Sequence, residues 1–173
     1  GDAEGLLSEL LSRPETVVRL GALEALASLE SQAGIQALFE ALDDTDREIR
    51  VSAIDAIERI DPPGAEAELK RRVDVGRLAK LDDTERMHFL KGCVAVCGDS
   101  IVPELAKVLN GRRWWGGRHP VPLRAGAARA LGLAGSAEAR QALERSSKDR
   151  APAVASAVRA ALRHIDGAEG GLS

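Results

Sequence analysis

The segment Gly111–Pro120, which reads GRRWWGGRHP, has the residue types best suited to recognition chemistry. It holds both tryptophans of the protein and a local cluster of arginines. Tryptophan can bury a large planar surface against a partner, and arginine can form paired hydrogen bonds with a carboxylate or a phosphate. With one arginine further along the chain, these residues make up the candidate binding site: Arg112, Arg113, Trp114, Trp115, Arg118 and Arg129. The alternative interpretation is structural, with a tryptophan filling a gap between repeats and the arginines solvated.

The other reactive side chains form no recognisable catalytic or metal-binding pattern. Cys93 and Cys97 are four residues apart on one predicted helix, and His88 is nearby in sequence. A tetrahedral metal site needs three or four ligands, and no second CxxC or HxxxH pair supplies them. Small buried thiols are therefore the favoured interpretation. Because the sequence also shows no nucleophile–base pair and no glycine-rich phosphate loop, we predict no catalytic residues, no metal and no cofactor.

Charge is distributed unevenly along the chain. Residues 1–99 contain 12 Lys and Arg against 21 Asp and Glu, whereas residues 100–163 contain 12 against 4. In a linear arrangement of repeats this produces an acidic end and a basic end, which favours a protein partner with acidic groups at the candidate site. Nucleic acid is the alternative partner for the basic half, although the acidic half would repel a duplex lying along the whole chain.

Composition indicates closely packed helices. Hydrophobic residues make up 45% of the chain but aromatic residues only 2%, so the core must consist of Ala, Leu, Val and Ile. No apolar run approaches the roughly 20 residues that span a bilayer, and no signal-peptide pattern opens the sequence. With only two cysteines, a reducing, cytoplasmic location is expected, with no membrane association.

The periodicity of apolar residues predicts an all-α protein, an α-solenoid of about five stacked helical hairpins. Residues 33–50 read AGIQALFEALDDTDREIR, and residues 136–154 return to the same layout as SAEARQALERSSKDRAPAV. Units of this size cannot bury their own apolar faces, so they stack. We predict a single domain over residues 1–166, with repeats at about 1–30, 31–61, 62–98, 99–135 and 136–166, and a disordered tail at 167–173. The expected buried residues are Leu26, Leu38, Ile57, Val94, Leu131, Leu143 and Leu162.

Three segments share one pattern, in which an aliphatic residue is followed by Arg and then by two alanines spaced three residues apart. They are VRLGALEAL at 18–26, IRVSAIDAI at 49–57 and LRAGAARAL at 123–131. This pattern resembles HEAT repeats, especially the compact bacterial kind also seen in phycobilisome-lyase-like proteins. The resemblance implies a ladder between an Asp in each turn and the Arg that opens each second helix. The matching residues are Asp44, Asp149, Arg19, Arg50 and Arg124. An offset of 37 residues puts Met87 at the Arg position of the third repeat, and the fifth repeat has Ala155 there.

In HEAT proteins the second helices line the concave side, where this chain has Glu24, Asp55 and Arg129 at equivalent positions. The change from acid to base is therefore expected on that surface, with ordinary solvation as the alternative. The resemblance implies a non-catalytic protein-interaction scaffold, and analogy with other repeat proteins favours a module of a larger bacterial signalling or assembly protein. Nucleic-acid binding is the second interpretation, and a HEAT-type enzyme such as a lyase or DNA glycosylase is the third. Deoxyhypusine hydroxylase binds metal through His-Glu dipeptides, which this sequence lacks.

Overall fold

A computed structural model describes residues 2–111 and 117–170, and within these ranges the protein consists of helices and connecting turns without a strand. A short 3₁₀ helix, Gly98–Ile101, joins the helices Asp83–Cys97 and Val102–Asn110. The α-helices are α1 (Asp2–Leu10), α2 (Thr16–Leu29), α3 (Gln32–Ala41), α4 (Arg47–Ile60), α5 (Ala65–Arg72), α6 (Val75–Leu78), α7 (Asp83–Cys97), α8 (Val102–Asn110), α9 (Val121–Ala134), α10 (Ala137–Glu144) and α11 (Pro152–Gly170).

The chain divides into two compact units, Gly1–Glu68 and Leu69–Ser173. In the first unit, α1 and α2 form one hairpin and α3 and α4 form the next. The first helices of the two hairpins contact each other, and so do the second helices, which is how stacked repeats bury their apolar faces. The centre of this unit is filled by the fully buried side chains of Leu23, Leu26, Leu38, Leu42, Ile54 and Ile57.

Local signals set the ends of these helices. The Ser31 hydroxyl accepts a hydrogen bond from the Gly34 N–H at 3.1 Å, and the Asp46 carboxylate accepts one from the Glu48 N–H at 2.9 Å. Both are N-caps that satisfy a donor which the helix itself leaves unpaired. At the other end, Glu30 and Asp61 adopt positive φ angles of 47° and 41°, the left-handed conformation that stops a helix.

In the second unit, α7, α9 and α11 lie side by side, and α8 packs against both α9 and α10. Small residues on α9 allow a close approach to α11. A Cβ atom added at Gly132 would lie 2.7 Å from the Cβ of Ala161, so glycine is needed at this crossing. The Leu, Val and Ala core of this unit therefore matches the expectation of closely spaced helices.

The predicted fold class, an all-α protein of stacked helical hairpins, is confirmed. Leu26, Leu38, Ile57, Leu131 and Leu143 are fully buried as expected. Val94 and Leu162 are only half-buried, because each lies at the margin of its helix's buried face.

One segment adds a short helix within the longer third repeat, and another differs from the predicted tail. The extra residues of the third repeat include the short helix α6, capped by Asp74, whose carboxylate accepts from the N–H groups of Gly76 and Arg77. Helix α11 continues to Gly170, so residues 167–170 are helical instead of belonging to a tail, and residues 171–173 lie outside the described ranges. The repeat boundaries themselves stay predictions.

Candidate binding surfaces

Arg19, the fourth residue of the second helix α2, links two neighbouring hairpins. Arg19 on α2 donates from Nη1 to both carboxylate oxygens of Asp44, at 2.9 and 2.8 Å. Its Nη2 donates to Asp46 at 3.2 Å. Asp44 in turn accepts from the Asp46 N–H at 2.7 Å, which holds the turn before α4 in shape. The ladder contact implied by the sequence pattern is therefore present in the first unit.

The same arrangement recurs in the second unit. Arg124, the fourth residue of α9, pairs with Asp149 in the turn before α11, and Asp149 accepts from the Ala151 N–H at 2.9 Å. The Asp149 side chain is only 1% exposed and the Arg124 side chain 5%. Burial, followed by the nearby charge of Arg118, lowers the pKa of the Arg124 guanidinium. Asp149 is thus the carboxylate that balances a buried arginine between two repeats.

The assignment of Met87 to the arginine position of the third repeat is wrong. The residue that fills this position is Arg86, which is buried and donates from Nε to the Leu78 carbonyl at 2.9 Å and from Nη2 to the Leu81 carbonyl at 2.5 Å. Arg86 is the fourth residue of α7, as Arg19, Arg50 and Arg124 are of their helices. Counting from the N-cap Asp82 finds it, whereas a fixed offset between repeats of unequal length does not.

Arg50 and Ala155 show how the other two positions behave. Arg50 donates from Nη1 to the backbone carbonyls of Asp44 and Thr45, at 2.7 and 2.9 Å, so it contacts the turn that precedes its own helix. Ala155 is the fourth residue of α11 and is buried. Arginine at this position therefore has two uses, an ion pair with the next turn and hydrogen bonds to nearby carbonyls.

A groove lies between the second helices α2 and α4 of the first unit, with a volume of about 530 Å³. Its floor is apolar and half-buried or buried, and its sides are exposed charged residues. The lining residues are Leu20, Glu24, Arg47, Glu48, Val51, Ser52, Asp55, Ala56 and Arg59. Sequence reasoning picked out Glu24 and Asp55 as positions on this face but missed the groove. The signal that could have found it is the stripe at 48, 52, 55 and 59, one face of a helix.

The structure describes two of the six residues proposed as a basic binding site, Arg118 and Arg129. Arg112, Arg113, Trp114 and Trp115 lie outside the described residues. Arg118 forms an ion pair with Asp149, although 44% of its side chain stays exposed. Arg129 is exposed on α9.

The surroundings of the two described arginines differ. Arg129 borders a small depression of about 170 Å³ whose walls include Asp83, Met87 and Val121. A Cβ at Gly111 would lie 2.6 Å from Nε2 of His119, so these two residues are in contact. Through its ion pair with Asp149, Arg118 also has a structural contact in addition to any part in binding.

The family model for HEAT repeats matches residues 3–81. Residues 3–81 of the chain are therefore similar to HEAT repeats. No curated protein matches it.

Among solved structures, this chain is similar to a crystal structure of an engineered protein, at 24% identity and a TM-score of 0.42, covering 95% of this chain and 79% of that one. It is also similar to human deoxyhypusine hydroxylase in complex with glycerol, at 17% identity and a TM-score of 0.38, covering 96% of this chain and 85% of that one.

The two thiols of this protein are not part of either surface. Cys93 and Cys97 are free and buried on α7. Burial, followed by the charge of Cys97, raises the pKa of the Cys93 thiol far above its usual range, so it stays protonated and unreactive. Across 2–111 and 117–170, no cluster of three His, Cys, Asp or Glu side chains could hold a metal ion. Those same ranges contain no helix with the length and apolar character needed to cross a membrane.

Proposed function

We propose that this protein is a non-catalytic scaffold that binds another protein through the groove between α2 and α4. The observation that carries the proposal is the groove itself, about 530 Å³ in volume and formed by the two second helices of adjacent HEAT repeats. Stacked helical repeats generally present such surfaces to protein partners. A cytoplasmic location, a bacterial source and membership of a larger signalling or assembly protein are further parts of the proposal.

The composition of the groove supports a protein ligand. Leu20, Val51 and Ala56 form an apolar floor, and exposed charged residues surround it. An apolar centre with a polar rim is the usual layout of a protein interface. The titratable groups that line the groove are exposed carboxylates and guanidinium groups. We therefore propose that these groups contact a ligand and take part in no catalytic step.

The second candidate site is the basic surface of the second unit, for an acidic protein or, as the alternative there, a nucleic acid. Residues 69–173 contain 19 Lys and Arg against 11 Asp and Glu. Arg129 is exposed, and Arg118 is partly exposed while it pairs with Asp149. A surface of this charge attracts anionic partners. Arg112, Arg113, Trp114 and Trp115 remain part of this second proposal.

The experiment is affinity capture with the whole chain, comparing a variant that fills the groove with one that does not. Ser52→Trp places an indole among the lining residues, and Ser8→Trp places the same side chain on an exposed position of α1. The proposal expects the captured proteins to be lost with Ser52→Trp and kept with Ser8→Trp, both variants being helical by circular dichroism. Capture that survives Ser52→Trp but is lost with Trp114→Ala/Trp115→Ala would move the site to the second unit.

A further inference from the structure

We infer that the groove between α2 and α4 takes a basic, extended peptide segment that carries one apolar anchor side chain. This inference rests on the proposed function and adds the chemical class of the ligand. The first support is the charge of the unit that contains the groove. Residues 1–68 contain 16 Asp and Glu against 5 Arg and no Lys, a net charge of −11. Such a field attracts cationic ligands and raises their rate of association.

The second support is the placement of carboxylates within the groove. Glu24 stands on the α2 side, and Glu48 and Asp55 stand on the α4 side. All three are exposed. Considering only the described part of the chain, neither Glu24 nor Glu48 has an ion-pair partner. Two walls of a groove that both present carboxylates suit a ligand whose lysine or arginine side chains point to both sides, as they do along an extended peptide.

The arginines of the groove set its length and the pattern of the ligand. Arg47 is the first residue of α4, and Arg59 is in its last turn. At 1.5 Å per residue, they are about 18 Å apart along the helix. An extended peptide rises about 3.3 Å per residue, so five or six residues fit between them. The positive charges of the ligand are therefore expected in the middle of this segment, and not beyond its ends, where Arg47 and Arg59 would repel them.

The apolar floor supplies the anchor. Leu20 and Val51 are half-buried and Ala56 is buried, so an apolar side chain of the ligand can cover them. Pairs of exposed charges contribute little affinity individually and weaken with salt. A leucine or a similar side chain in the floor is therefore required for binding that persists at physiological ionic strength.

The test measures fluorescence anisotropy of three labelled dodecapeptides with the whole chain. The first peptide has a central leucine among lysines and arginines, the second replaces that leucine with glycine, and the third replaces the basic residues with glutamates. The groove variant is Glu24→Arg/Asp55→Arg. The matched control is Glu9→Arg/Glu58→Arg, which changes the net charge equally at exposed positions of α1 and α4 that do not line the groove.

The expected result is binding of the basic leucine peptide, weakened at least about tenfold by the groove variant and less than about threefold by the control. The glycine peptide should bind more weakly than the leucine peptide. Equal weakening by groove and control variants would overturn the inference, since it would show attraction to the whole unit without a site. If the acidic peptide binds and only the groove variant weakens it, the proposed function stands and the ligand class is wrong.

Two further outcomes overturn the inference. If none of the peptides responds to the groove variant and Ser52→Trp also leaves protein capture intact, both the inference and the proposed function fail. The remaining candidate occupant of the groove is a second copy of this chain, and sedimentation equilibrium measures whether the chain self-associates. Salt-sensitive self-association that Glu24→Arg/Asp55→Arg abolishes, in the absence of peptide binding, would assign the groove to self-assembly.

Discussion

Replacing Gly132 with alanine tests how closely α9 approaches α11. The added Cβ would lie 2.7 Å from the Cβ and 2.9 Å from the Cα of Ala161, and the second of these atoms cannot move without the backbone. Overpacking of this kind costs about 1–3 kcal/mol, while the change from glycine to alanine in a helix contributes up to about 1 kcal/mol of stability. With the full offset of about 1 kcal/mol, the expected net loss is about 0–2 kcal/mol of unfolding free energy.

Two other glycines provide matched controls. A Cβ at Gly126, on the same helix, would make only ordinary contacts at 3.6–3.8 Å, and a Cβ at Gly21 on α2 would meet nothing within 4 Å. Gly126→Ala and Gly21→Ala should therefore be neutral or stabilising by up to about 1 kcal/mol.

The assay is urea unfolding followed by circular dichroism at 222 nm, a wavelength that reports helix content, with thermal unfolding as a second measure. A change of 1 kcal/mol should shift Tm by about 2–4 °C in a chain of this size. If Gly132→Ala is as stable as Gly126→Ala, the two helices are further apart than the structure places them, and the argument from close approach is wrong. If Gly21→Ala destabilises the protein, the exposed face of α2 makes a contact that the structure does not contain.

Three further substitutions test the contacts between repeats. Asp149→Ala removes the carboxylate that balances the buried Arg124, so the unfolding free energy should fall by about 3–5 kcal/mol in urea titrations, and a loss below about 1 kcal/mol would refute this role. Arg86→Met leaves two backbone carbonyls without their donor and should cost about 2–4 kcal/mol by the same measurement; no change would show that the third repeat does not use this arginine. The hydrogen bond from Thr16, at 2.5 Å, lowers the pKa of Asp46 and is the largest cause of that shift. A carboxyl pKa that is lower in the folded state stabilises the protein above the unfolded value and loses this contribution as pH falls through the folded value. Thr16→Val should therefore raise the pKa of Asp46 in a carboxyl-detected NMR titration and weaken the acid dependence of stability, and an unchanged pKa would contradict the assignment.

The ion pair between Arg19 and Asp44 could be predicted from sequence because it depends on a repeated local pattern. Each residue has a fixed place relative to a helix start, and the same pairing recurs between Arg124 and Asp149. Arg86 follows the same rule from its N-cap, but the third repeat contains the extra helix α6, so a fixed offset pointed to Met87 instead. The place of a residue within its helix follows from nearby residues such as the N-cap. The spacing between repeats of unequal length does not follow from them.

The sequence by itself determined the all-α hairpins, the division of charge and the face of each second helix, because helical periodicity and composition are properties of short segments. The groove was decided only by tertiary structure, since its depth depends on the distance between α2 and α4. The partner of Arg118 was decided in the same way, because Asp149 is far along the chain and its burial comes from the packing of α9 and α11 around it. Gly21 and Gly132 are likewise both helical glycines, and the sequence does not tell them apart. Only the structure shows that a Cβ would meet a neighbouring helix within 3 Å at Gly132 and nothing within 4 Å at Gly21. Contacts between distant segments depend on how side chains of many helices fill a common space, and no single segment of sequence specifies that packing.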